Sequence, residues 1–121
     1  MKKKIITAVM TLLTTFSLTS CGEGSSKYDT CLNHLKTHLK DPSSVMIDGA
    51  TGYKSKQNDG SYDYGYAIRY NAKNSYGAYV GATLAYVVIS PTSGTSCSVC
   101  NTYAQAFYYL CSTSGEKIYE K

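Results

Sequence analysis

The chain has 121 residues, a formal net charge of +4, five Cys, thirteen Tyr and no Trp. That is room for one small domain, and it excludes a multidomain enzyme, an array of repeats and a polytopic membrane protein. Lys2, Lys3 and Lys4 supply most of the excess charge; without them the remainder stands at +1, so the basic balance is no argument for a nucleic-acid partner.

The N-terminus reads as an address. Three Lys are followed by an apolar stretch from Ile5 to Leu18 and then by the small residues Thr19 and Ser20, the order of a secretory signal. The apolar stretch falls short of the roughly 20 residues that a spanning helix needs. Leu18-Thr19-Ser20-Cys21 resembles the lipobox of bacterial lipoproteins. The resemblance implies that residues 1–20 are cut away and that Cys21, now first, carries acyl chains such as palmitate and anchors the protein in a membrane. Gly22 rather than Asp after the Cys implies the outer membrane in a Gram-negative host. Residues 21–26 are small and polar and are expected to form a short flexible tether ahead of a single domain at 27–121.

Tyr28, Cys31, Leu32, Leu35 and Leu39 recur at helical spacing, so a helix is predicted over 27–40, stopped by Pro42. His34 and His38 flank that stripe four residues apart. Val45 to Ala50 reads as a short strand ending at Gly49 or Gly52, followed by a polar loop over 54–61 with an Asp-Gly turn signal. Tyr62, Tyr64, Tyr66, Ile68 and Tyr70 alternate with Asp63, Gly65, Ala67 and Arg69, a strand with one aromatic face. Residues 79–90 read as a central strand, apolar on both faces, joined to the previous one as a hairpin. A polar run leads to Cys97-Ser98-Val99-Cys100. A second helix is predicted over about 102–111, with Tyr103, Ala106, Phe107, Leu110 and Cys111 as its stripe and Gly115 beyond its end. The tail at 116–121 adds an edge strand or frays. The fold class is α+β: a small antiparallel sheet of three to four strands packed with an N-terminal and a C-terminal helix, both on one face.

Four Cys in a mature exported domain read as two disulfides. Cys31 with Cys111 and Cys97 with Cys100 is the pairing expected if both helices share one core; Cys31 with Cys97 or Cys100 is the competing one. The C-x-x-C also admits thiol-redox chemistry, and with His34 and His38 it has zinc-ligand spacings, but structural bridges without a bound metal or other cofactor fit an oxidising compartment better.

The segments "LKDPSSV" at 39–45 and "YNAKNSYGAYVG" at 70–81 together resemble a group of uncharacterised small exported bacterial proteins, many of them lipoproteins or phage-borne. The matching positions are Leu39 to Pro42, Ser44, Asn71 to Gly77, Tyr79 and Gly81. Ala78 stands where the group usually has a second Gly, and Ala67 where a Cys often precedes the motif. The resemblance implies a shared fold and export and assigns no activity. Physically, Asn71 and Asn74 suit left-handed turn positions and side-chain-to-backbone bonds, and Gly77 suits a site of positive φ.

No Ser-His-Asp pattern, phosphate loop or paired-carboxylate motif is present, so a non-catalytic binding module in the cell envelope is expected rather than an enzyme. Its membrane contact is the N-terminal lipid, and its partner is an envelope protein or glycan. The candidate contact residues are Tyr64, Tyr66, Tyr70, Lys73, Tyr76 and Tyr79, with the β-strand tyrosines serving either as binding face or as core. An envelope inhibitor, or a lipoprotein of the phage-exclusion type, is the alternative, and a thiol-redox or zinc protein the third.

Overall fold

The computed structural model describes residues 22–90, 94–99 and 102–121, with side chains inside 94–99 described only at Thr95. The expected signal at 1–20, the acylated Cys21 and Cys100 lie outside the described residues. Helix α1 covers 22–36. A 3-10 turn at Pro42–Ser44 follows, then strands β1 (Met46–Lys56), β2 (Tyr62–Asn71), β3 (Thr83–Ser90) and β4 (Gly94–Val99). Helix α2 (Thr102–Ser114) leads into β5 (Glu116–Glu120). The five strands form one antiparallel sheet in the order β4-β3-β2-β1-β5.

The α+β class, the antiparallel sheet and its two helices are those the sequence implies, and the tail is an edge strand; the sheet has five strands rather than three to four because residues 94–99 add one. The layering differs. Register pairs Tyr66 with Gly52 and Val87, and Ile68 with Ala50 and Ala85. These residues form one core with Tyr28, Cys31 and Leu35 of α1. The intervening residues Ala67, Tyr86 and Val88 pack with Ala104, Phe107 and Tyr108 of α2. Because successive strand residues point to opposite faces, α1 and α2 lie on opposite sides of the sheet, and each buries one of its faces.

Several boundaries move: the strand expected over 79–90 begins at Thr83, the second helix runs on to Ser114, and others move for identifiable reasons. Gly52, which reads as the end of a strand, lies inside β1: it faces the ring of Tyr66 directly, and a Cβ there would come within 3 Å of the ring atoms Cδ2 and Cζ. The polar residues Lys54 to Lys56 extend β1 because Lys54 finds partners, Glu23 at 3.1 Å and Glu116 at 3.6 Å. Helix α1 already includes residues 22–26, so that part of the expected tether is helical. It also stops short of Lys40, where the Thr37 hydroxyl takes the His34 carbonyl at 2.6 Å and the backbone tightens into i→i−3 bonds. On α2, Ala104 and Cys111 are buried, and Tyr103 and Leu110, expected on the inner stripe, face outward. β4 is a Ser- and Thr-containing edge strand within the run that reads as a loop.

Candidate functional site

The strands give the domain two poles. α1 and β2 run from the end holding Gly22, the β1–β2 turn and the C-terminal end of α2 toward the end holding the 72–82 loop; β1 and β3 run back. At the near pole the Tyr64 hydroxyl donates to Glu23 Oε1 at 3.1 Å, and Ser55 and Ser114 are hydrogen-bonded at 3.1 Å. At the far pole the 72–82 loop meets the 3-10 turn.

That loop is built from its own sequence. The Asn74 side-chain oxygen accepts from the N–H groups of Tyr76 (2.9 Å) and Ala78 (3.2 Å). The Asn74 N–H donates to the Ala78 carbonyl at 2.9 Å, and Gly77 N–H donates to the Asn74 carbonyl at 3.1 Å. Gly77 adopts φ 79° and Gly81 φ 101°, conformations that cost other residues steric strain. Asn71 Oδ1 accepts from Gly81 N–H at 3.1 Å and closes the loop's base.

The two segments that carry the family resemblance meet at Ser44. Its hydroxyl donates to the Asp41 carbonyl at 2.7 Å and accepts from Lys73 N–H at 2.9 Å. Its carbonyl accepts from the Tyr79 hydroxyl at 3.1 Å. Lys73 and Tyr79 form an isolated bridge, and the Lys73 ammonium sits 5.6 Å from the Tyr79 ring centre. The loop is therefore clamped at both ends and presents Tyr76, 94% exposed, and Val80, 65% exposed, to solvent.

The six candidate contact residues divide in two. Tyr66 and Tyr70 are buried, and Tyr64 is half-buried against the α1-side core, so the aromatic face of β2 is core rather than binding surface. Tyr66 is wholly buried, its hydroxyl donating to the Gly24 carbonyl at 2.7 Å, and burial pushes its phenol pKa up. Tyr28 stacks on Tyr119 at 4.5 Å between ring centres. Burial, reinforced by Tyr119, raises the Tyr28 phenol to about 12. On the other face Tyr108, likewise raised to about 12 by burial, packs against Tyr86 and Tyr53. With no Trp in the chain, Tyr is the core aromatic on both sides. Lys73, Tyr76 and Tyr79 remain together at the far pole.

Sequence reading missed Arg69. It lines a cleft of about 470 Å³ on the part of the α2-side sheet face that α2 leaves open, with Asp48, Thr51, Leu84 and Glu120. Its signals were that it is the chain's sole Arg and lies on the non-aromatic face of β2. Leu84 is the register partner of Arg69 and follows directly from the loop, so cleft and loop adjoin.

The cysteines do not assemble as expected. Cys31 belongs to the α1-side core beside Tyr66, and Cys111 lies under α2 against Gly65 and near Asp63. The sheet stands between them, which rules out the expected Cys31–Cys111 bridge in this fold. The Cys111 thiol is buried and raised to about 11, chiefly by desolvation. Cys97, on β4, pairs in backbone register with Val87 of β3, and the expected Cys97–Cys100 bridge involves Cys100 outside the described residues. His34 and His38 stack edge to face at 5.2 Å, with the His34 imidazole pKa lowered by burial and by His38. Among the described residues no three His, Cys, Asp or Glu converge on a metal position, and no helix is long and apolar enough to cross a membrane.

No protein-family model, curated protein or solved structure matches the chain.

Proposed function

We propose that this is an exported lipoprotein, anchored through Cys21 in the cell envelope, that acts by binding rather than catalysis and uses the 72–82 loop as its recognition element. The observation that carries the reading is Tyr76: a large aromatic, almost fully exposed, on a loop whose backbone is fixed by Asn71, Asn74 and Ser44. Tyr is a rigid anchor with little conformational entropy to lose, and a preformed loop lowers the ordering cost of binding. Lys73 and Tyr79 flank it, and the cleft at its foot adds Arg69 beside Asp48 and Glu120, a mixed-charge lining for polar groups of the partner. Export is supported by the N-terminal signal order and by the lipobox resemblance. The partner class is an envelope protein or glycan.

The test compares wild type with Tyr76→Ala and Tyr79→Ala on immobilised full chain, offered separately solubilised envelope proteins and purified cell-wall glycan from its host. The expected result is retention of one fraction by wild type and its loss in Tyr76→Ala at unchanged thermal midpoint. Equal retention by both variants overturns the assignment of the loop.

A further inference from the structure

We infer that the near pole of the domain, formed by the first turn of α1, the β1–β2 turn and the C-terminal end of α2, rests on a phospholipid bilayer, with the 72–82 loop held at the opposite end. The inference rests on acylation of Cys21. Gly22, the first described residue of α1, is joined directly to Cys21 by one peptide bond. The two residues that follow Gly22 are fixed to the sheet. Glu23 bonds Lys54 at 3.1 Å and Tyr64 at 3.1 Å, the Gly24 carbonyl accepts from Tyr66 at 2.7 Å, and Gly24 lies so close to the Ile118 backbone that a Cβ has no room. An anchor at Cys21 therefore leaves no slack in which the domain could turn over.

The surface that meets the lipid follows from the strand directions. The turn at 57–61 projects beyond Lys54 at this end, carrying Tyr62, with the Lys54 ammonium 4.8 Å from its ring centre. Tyr62 and Lys56 are exposed at this end, and exposed Tyr and Lys beside a bilayer suit the headgroup layer. Lys27, Lys54 and Lys56 are balanced by Glu23, Asp59 and Glu116, so the acyl chains, not a polybasic patch, hold the domain down. β2 is 10 residues long. At about 3.3 Å per residue it sets the loop roughly 30 Å further out than Tyr62. The recognition loop thus faces away from the membrane that carries the protein.

The absence of Trp makes the test direct. Full chain carrying Tyr62→Trp, Gln57→Trp or Tyr76→Trp is purified from the envelope, its acylation read by intact mass, and reconstituted in phosphatidylcholine vesicles containing a dansyl-headgroup lipid. The expected result is strong energy transfer from Trp at 62 and 57, with loss of its emission, and little from Trp at 76. Equal transfer from both ends of an acylated chain, or stronger transfer from 76, overturns the orientation while leaving the lipoprotein reading intact. A chain without acyl chains that fails to associate with vesicles refutes that reading and the orientation with it. Cys21→Ser supplies the unanchored control.

Discussion

Tyr28 and Tyr66 sit in one core, 6.1 Å apart between ring centres, and removal of their hydroxyls should act in opposite directions. The Tyr66 hydroxyl donates to the Gly24 carbonyl at 2.7 Å and ties the start of α1 to the sheet. Tyr66→Phe loses that bond, worth about 0.5–1.5 kcal/mol net. The Tyr28 hydroxyl is buried and, among the described residues, has no hydrogen-bond partner. Tyr28→Phe removes a desolvated polar atom whose burial costs about 1–3 kcal/mol, and the stacking on Tyr119 survives the change. For a domain of this size 1 kcal/mol moves the thermal midpoint by about 4–8 °C. Calorimetry of the two variants should therefore show the midpoint of Tyr66→Phe several degrees below wild type and that of Tyr28→Phe at or above it. Hydrogen exchange in Tyr66→Phe should rise first in the opening turn of α1. A drop in both, or no change in Tyr66→Phe, refutes the hydrogen-bond accounting and with it the docked helix start.

Gly52→Ala should destabilise by about 1–3 kcal/mol, because the Tyr66 ring it meets is locked from all sides; denaturant unfolding checks this, with Gly22→Ala, in open space, as the neutral control. Ser44→Ala leaves Lys73 N–H without its acceptor, so amide exchange across 72–82 should accelerate while the global midpoint falls by no more than about 1 kcal/mol equivalent. The Glu23 carboxyl is held below its ordinary 4.5, chiefly by the hydrogen bond from Lys54. Its folded pKa is thus lower than its unfolded one, so its contribution is present above pH 4.5 and lost as pH falls through the folded value. Glu23→Gln should flatten the acid limb of a midpoint-against-pH curve below about pH 5. Cys111, buried with its thiol at about 11, should resist alkylation at neutral pH in the folded, reduced protein and react once denaturant is added.

Much of the fold is legible in the residues. The alternation from Tyr62 to Tyr70 marks β2 and its face, and the spacing of Tyr28, Cys31 and Leu35 marks the buried stripe of α1, because burial imposes those two periods directly. What the chain does not display is which layer a helix joins. An apolar stripe tells that α2 is covered, but β3 is apolar on both faces and accepts a helix on either. The α2 stripe is also ambiguous, since a 13-residue helix without a single charge has no polar face to mark its outside. Gly24 and Gly52 read locally as breaks and are in fact close contacts made with residues far along the chain. At the candidate site the Asn and Gly positions of the loop were readable as turn chemistry. Ser44's part in holding Lys73 and Tyr79 was not, since it depends on two segments 29 residues apart coming together.

The strand that follows α2 closes against the first strand and helix of the domain. β5 pairs with β1, Lys121 exchanges backbone bonds with Ala50, and Ile118 backs the opening turn of α1 near Gly24. These contacts join segments more than 60 residues apart in sequence, and such contacts carry a high loop-closure cost and form late. A chain ending before Glu116 therefore lacks the Ile118 and Tyr119 wall behind Tyr28 and Tyr66. The α1-side core is therefore completed only once both ends of the domain are present.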